Sequence, residues 1–249
     1  DDGTHALAME ELGRADSALR GIVSVSSGLV GKSILFHGTE AQKQEWLPQL
    51  AAATKLGCFG LTEPGTGSDA GNLTSRATRD GSDWLITGQK LFITNGTWAD
   101  VALVFARTSD DGPRGITAFL VPTDSPGFEA REIKGKLGLR GQATAELSLA
   151  GVRVPADALL GEEGEGFKIA MRILDRSRPG VAAQALGIAQ GATDYALEYA
   201  KSRETMGKPI AQHQLIQAKL ADMETETEAA RGLLYRFGQM CDAGIDGPE

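Results

Sequence analysis

The chain has 249 residues, 41% of them hydrophobic, enough to bury one large core or two smaller ones and far from a disordered composition. Its formal net charge is −8, with 25 Lys and Arg against 33 Asp and Glu, and its pI is near 5.0, so no basic surface is left for a nucleic acid. Cys58 and Cys241 stand far apart without metal-ligand spacing, and reduced thiols, no metal site and a cytoplasmic setting are expected. No uninterrupted apolar run approaches membrane-spanning length, and the start DDGTHALAMEE lacks the basic and apolar regions of a signal peptide, so no membrane partner is expected. Neither end reads as natural: the chain opens without Met and stops at DGPE just after a helical pattern.

In chain order, the pattern from Ala6 to about Ala53 is helical, with Asp16 as N-cap of a segment from Ser17 to Phe36. Thr39 and Gln42 have capping-box spacing ahead of EWLPQLAA. From Gly57 to about Pro155 the signal changes to short runs rich in Val, Ile, Phe and Thr, separated by Asp80-Gly81, Asp111-Gly112 and Pro126-Gly127. The candidate strands are 57–62, 75–79, 84–87, 91–94, 101–107, 116–122, 145–149 and 152–154. So many strands at short intervals point to an antiparallel barrel or sandwich. Helical periodicity returns at Gly166, punctuated at Arg178-Pro179 and at Gly207-Lys208-Pro209. Ile216, Leu220, Met223, Thr227, Ala230, Leu234, Phe237 and Cys241 then alternate at four and three residues, a seam that should face a neighbouring helix in an antiparallel bundle. Asp222, Glu224, Glu226 and Glu228 fall on the other faces and read as solvated helix surface.

The expected class is therefore α+β: a partial helical N-terminal domain (1–56), a central β-barrel domain (57–157) and a truncated C-terminal helix bundle (158–249). Within the central part, LGCFGLTEPGTGSD (56–69) and GQKLFITNG (88–96) are strand-like runs ending in small and hydroxylated residues. Such loops offer backbone N–H groups and hydroxyls at the edge of a packed wall, as a flat polar cofactor requires. The alternative for either segment alone is an ordinary strand edge with turn residues.

With these two motifs in place, the chain closely resembles the acyl-CoA dehydrogenase family over nearly its whole length. The matching blocks run in order from AMEELGRAD through WLPQLA, LTEPGTGSD, FITNG, KLGLRGQATAEL, GVRVP, GEGFKIAM and ILDRSRPGVAAQALGIAQG to MGKPIAQHQLIQAKLADM. The glutaryl-CoA and short-chain branches look nearest. The resemblance implies FAD held by Phe59, Leu61, Thr62, Gly67 and Ser68 and by Phe92, Ile93 and Thr94, with Phe92 against the ring and Thr94 near the reactive N5. Many relatives carry Trp at the position of Phe92. It further implies that Arg203, Thr205, His213 and Gln214 reach the adenine and diphosphate of a flavin held mainly by a neighbouring subunit, in a homodimer or homotetramer. Met206 stands where relatives often have Phe. For the CoA thioester it points to Ser68, Asp175 and Arg178, a helix-end ion pair being the alternative for the last two. Lys136 and Arg140 are expected as solvated charges beside the substrate entrance.

The implied reaction is α,β-dehydrogenation of an acyl-CoA thioester, a carboxylate taking the α proton while a hydride leaves for flavin N5, with electrons passed on to an electron-transfer flavoprotein. In most of the family the basic Glu comes from a segment beyond the end of this chain; in the isovaleryl and long-chain branches it sits at the position of Ser177, which cannot do that work unaided. No catalytic residue is therefore expected within the chain, and a polypeptide ending at Glu249 is expected to have little or no activity. In glutaryl-CoA dehydrogenases an Arg in the context of Arg20 pairs with the distal carboxylate, so a dicarboxyl-CoA substrate enters the field, against an Arg that packs its stem and pairs locally. The rival functions are a flavin oxidase or monooxygenase on the same fold, and a non-catalytic member serving as an assembly surface.

Overall fold

The structure, a computed structural model, describes residues 2–245. They fall into two compact units, 2–20 with 178–245 and 21–177. Asp16 Oδ1 accepts from Ala18 N at 2.7 Å, capping a continuous helical run made of α2 (Ser17–Val23), a π-helical stretch (Ser24–Gly31) and α3 (Lys32–His37). By length and composition this run of 21 residues could cross a membrane, but it is not an uninterrupted apolar run. The helix joins apolar stretches that Arg20 and Lys32 separate in the sequence, and half of it is buried in the protein. Val30 and Ile34 are fully buried, Ser26 Oγ accepts from Gly57 N at 3.0 Å, and a Cβ on Gly57 would lie 2.9 Å from Val30. That is the pattern of a core helix.

The capping box forms as expected at the start of α4 (Glu40–Ala51): Gln42 N donates to Thr39 Oγ1 at 3.2 Å and Thr39 N to Gln42 Oε1 at 3.0 Å. Gln42 Nε2 also donates to the carbonyls of Asp157 (2.7 Å) and Leu159 (3.0 Å), tying the helix start to the end of the sheet. Thr39→Ala should lower the unfolding free energy by about 1 kcal/mol and Gln42→Ala by about 2 kcal/mol, because only the second also strands two carbonyls. Denaturant titration checks this, and equal losses would contradict the double role.

The sheet has eight strands: β1 (Gly57–Gly60), β2 (Arg76–Asp80), β3 (Asp83–Thr94), β4 (Val101–Arg107), β5 (Ile116–Pro122), β6 (Phe128–Glu132), β7 (Thr144–Val154) and β8 (Leu159–Leu160). Their order is β6-β7-β3-β2-β4-β5-β8, with β1 alongside β4. Two expectations change here. The end strands β6 and β8 do not pair among the described residues, so the ladder is not a closed barrel. Nor is it wholly antiparallel, since β1 and β2 both run parallel to β4. The β2–β4 junction is a single register pair, Arg76 with Arg107, and about it the two halves of the sheet fold over one core. Ala77, Trp84, Ile86, Leu147 and Val152 fill that core from one half and Cys58, Ala102, Val104, Phe119 and Val121 from the other. The opposite side of β4 and β5 packs against Val30, Ile34, Trp46 and Ile169. Cover on both faces is why VALVFA, and ITAFLV apart from Thr117, are apolar throughout rather than alternating.

The expected strands 84–87 and 91–94 are one strand, β3, as are 145–149 and 152–154 in β7. Gly88 lets β3 pass Ser75, where a Cβ would lie 2.2 Å from its Oγ. β6 was not expected, because FEARE is an almost wholly exposed edge without an apolar pattern.

In the other unit, α5 (Gly166–Ser202), whose first turns belong to the sheet unit, remains helical at Arg178-Pro179, where an interruption was expected. Proline there removes one N–H from the helical ladder without ending the helix. A hairpin of β9 (Glu204–Thr205) and β10 (Lys208–Pro209) turns at Met206 and Gly207, both at positive φ, and leads to α6 (Gln214–Asp242). On α6, Thr227 and Leu234 are buried and the rest of the expected seam is half-buried except Ala230, which is exposed. Thr227 Oγ1 donates back to Met223 O at 2.7 Å. The seam meets α1 (Asp2–Ala15) and α5, with Ala6, Met9, Ala183, Leu186 and Leu234 in one cluster. Glu10 of α1 accepts from Arg231 Nε (3.0 Å) and Tyr235 Oη (2.6 Å) of α6, and Arg231 Nη2 donates to Gln190 Oε1 of α5 (2.6 Å).

Candidate functional site

The two motif segments lie side by side. Leu91 N in β3 donates to Thr62 O at 2.9 Å. Beneath this bond, Lys90, with no exposed surface, donates to Glu63 Oε1 (2.8 Å) and to the carbonyl of Phe105 (2.7 Å). Glu63 also accepts from Thr74 N (2.6 Å), Thr74 Oγ1 (2.7 Å) and Ser75 N (2.9 Å). Burial would raise the Glu63 carboxyl, but the Lys90 ammonium and the hydrogen bonds of Ser75 and Thr74 outweigh it and hold it at about 2. For Lys90, burial lowers the pKa and Glu63 opposes the shift. Glu63 of LTEPGTGSD and Lys90 of GQKLFITNG are thus an internal clasp, a role that reading each motif by itself did not reveal.

Above the clasp the expected cofactor residues divide. Leu61 and Ile93 are buried in the two cores, and Phe59 packs on Phe105 with ring centroids 5.0 Å apart, so their side chains face inward. Thr62 and Thr94 are half-buried, and Gly67, Ser68 and Phe92 are exposed, Phe92 by 64%. Phe92 reaches solvent through a bulge: the pairing of β3 with β7 shifts register between Lys90 and Ile93, and Phe92 has φ 59°. A Cβ on Gly67 would meet nothing within 4 Å.

Asn95, fully buried at φ 66°, pins the end of β3. Its Nδ2 donates to the carbonyls of Ile22 (3.1 Å) and Gly57 (3.2 Å), and its backbone N donates to Ala143 O (3.0 Å). The loop before β7 is equally organised. Lys136 Nζ donates to Leu139 O (2.8 Å), Gln142 O (2.7 Å) and Thr144 Oγ1 (2.9 Å), so Lys136 is not the solvated charge that was expected, whereas Arg140 is exposed. Gln142 Nε2 donates to Thr94 Oγ1 at 3.4 Å. Asn95 could have been suspected from the ITNG turn, where Asn tolerates positive φ; Gln142 carried no sequence signal.

The expected substrate residues Asp175 and Arg178 are exposed and lie three positions apart on α5. Ser177 Oγ donates to Leu174 O at 2.8 Å. Arg20 is only 6% exposed, its Nε and Nη2 are buried without a hydrogen-bond partner, and burial lowers its pKa. A Cβ on Gly180 would lie 3.2 Å from Arg20 Nη2. Thr205 and His213 come together across the hairpin, His213 Nε2 lying 3.4 Å from Thr205 O, while Arg203, Thr205 and Gln214 are exposed.

Sequence profiles of the N-terminal, middle and C-terminal domains of acyl-CoA dehydrogenases match residues 2–54, 58–152 and 164–248. An acyl-CoA dehydrogenase of Bacillus subtilis is 45% identical over 98% of this chain and 64% of its own length. The solved butyryl-CoA dehydrogenase of Megasphaera elsdenii superposes with a TM-score of 0.94 at 45% identity, covering 97% of this chain and 63% of that one. A glutaryl-CoA dehydrogenase of Mycobacterium smegmatis in complex with FADH2 gives 0.92 at 46% identity, covering 98% of this chain and 62% of that one. The chain thus spans somewhat under two thirds of the length of these relatives. Three domain profiles in the right order, and solved structures that follow the backbone through the clasped strands and both long helices, lead to one assignment: the chain belongs to the acyl-CoA dehydrogenase family.

Proposed function

We propose that the whole protein is an FAD-dependent acyl-CoA dehydrogenase that converts an acyl-CoA thioester to its trans-2-enoyl-CoA and hands the electrons to an electron-transfer flavoprotein in the cytoplasm. The observation that carries this reading is the clasp of Glu63 and Lys90, which fixes the LTEPGTGSD loop beside β3, with Gly67, Ser68 and Phe92 exposed and Thr62 and Thr94 half-buried. That set fits a flavin: a bare aromatic ring for stacking, half-buried hydroxyls for polar edges, and free space over Gly67. When bound, the flavin supplies the two-electron acceptor for the CH–CH bond.

In this reading Thr62 and Ser68 hold the pyrimidine edge and diphosphate, Phe92 stacks, and Thr94 faces N5. Ser68, Asp175 and Arg178 hold the CoA thioester. Arg203, Thr205, His213 and Gln214 serve the flavin of a neighbouring subunit, which makes the assembly a homodimer or homotetramer. The working domains are 1–56, 57–157 and 158–249. Ser177, whose hydroxyl donates to Leu174 O, does not take the α proton; the base is a Glu supplied by sequence beyond residue 249. Arg20 extends the reading to substrate choice: a buried guanidinium with two unpartnered nitrogens is suited to a carboxylate, which favours a dicarboxyl-CoA ester. Anaerobic titration of the full-length protein with acyl-CoA esters tests the activity. Bleaching of the flavin band is expected; persistent colour with every ester would overturn it, and rapid reoxidation of the bleached protein in air would assign an oxidase instead.

A further inference from the structure

Gln142 is buried to all but 7% yet only half its amide is used, since Nε2 donates to Thr94 Oγ1 at 3.4 Å while Oε1 is buried without a partner. A buried carbonyl oxygen left unpaired is costly, and an apolar side chain of the same length would avoid the cost. The surroundings nevertheless fix the amide in place. Lys136 Nζ holds the carbonyls of Leu139 and Gln142 and the hydroxyl of Thr144, the cross-strand partner of Thr94. On the other side stands Gly21, where a Cβ would lie 1.9 Å from Gln142 Oε1. Glycine inside a helix is unfavourable by about 1 kcal/mol relative to alanine, and here the amide occupies the space an alanine would need.

We propose that Gln142 is a positioning residue for the Thr94 hydroxyl. With Nε2 donating to Thr94 Oγ1, the hydroxyl proton is turned away from Gln142 and left to donate to a bound ring. This rests on the reading of Thr94 as a flavin neighbour. Loss of the amide leaves the hydroxyl free to rotate, so the cofactor environment changes although no flavin contact is removed.

The test is a double-variant cycle on the full-length protein, using Gln142→Met, Thr94→Val and both together, read by the flavin absorption spectrum, the flavin midpoint potential and reduction by butyryl-CoA. Gln142→Met should slow flavin reduction at saturating ester about two- to tenfold, the range of one neutral hydrogen bond, with KM little changed. The spectrum and potential should move in the same direction as in Thr94→Val, and Gln142→Met should add nothing once Thr94 is Val. Gly21→Ala, which displaces the amide without altering it, should reproduce the Gln142→Met spectrum. Equal effects of Gln142→Met in both backgrounds, or a drop in thermal stability with unchanged spectrum and potential, would overturn the role of Gln142 while leaving the flavin reading intact. A wild-type protein without a flavin band would overturn both.

Discussion

Glu63→Gln and Lys90→Met should each lower the unfolding free energy by about 3–5 kcal/mol, because either change leaves the other member of a buried pair without its counter-charge. The double variant Glu63→Gln/Lys90→Met should lose less than the sum of the two, since no uncompensated charge remains. The pH dependence has a definite sign. The carboxyl is held at about 2 in the folded chain against an ordinary 4.5, so its contribution is fully present above 4.5 and disappears as the pH falls toward 2. That contribution is about 3 kcal/mol. The stability gap between wild type and Glu63→Gln should therefore narrow as the pH is lowered through that window; a gap of constant size would show that the Glu63 carboxyl titrates alike in the folded and unfolded chain. Because the clasp fixes the LTEPGTGSD loop beside β3, weakened flavin retention should accompany the lost stability.

Arg20→Met should separate substrates. Truncating one member of a buried charge pair costs about 2–5 kcal/mol, which corresponds to a fall of about thirty- to several-thousand-fold in kcat/KM. That loss is expected with glutaryl-CoA, and butyryl-CoA turnover should barely change. Stability supplies a second sign: Nε and Nη2 of Arg20 are buried without partners, so the free protein should be no less stable, and even more stable, with Met in that place. An Arg that serves only the fold would give the opposite pattern, lower stability and equal losses on both esters. Comparison of the two esters with the full-length variant, beside its melting temperature, decides between them.

Much of this organisation was legible in the sequence, for reasons that differ by element. The capping box at Thr39 and the α6 seam were readable because local hydrogen bonding and helical period leave direct marks on residue spacing. The mixed α+β class followed from the change of period at Gly57 and again at Gly166. Closure of the sheet was not readable: whether β6 meets β8 depends on non-local pairing that strand-length patterns do not encode, and β2 joins β4 through only one residue pair. The helix through Pro179 was missed because packing of the surrounding turns overrides one lost hydrogen bond. At the candidate site, the loops and hydroxyls stood out by composition. Glu63, Lys90 and Gln142 did not, because the pairing of Glu63 with Lys90 spans 27 positions and that of Gln142 with Thr94 spans 48. Arg20 was visible as a residue type in context, but its unsatisfied burial became visible only with the helices in place.

The most direct measurement is the visible absorption spectrum of purified full-length protein beside that of Phe92→Ala and Gly67→Val. If the clasped strand ends hold an isoalloxazine, the wild type will be yellow with stoichiometric flavin, and both variants, one stripping the stacking ring and the other filling the open space, will lose most of it without unfolding. A colourless wild type, or variants that keep their full flavin content, would contradict the account.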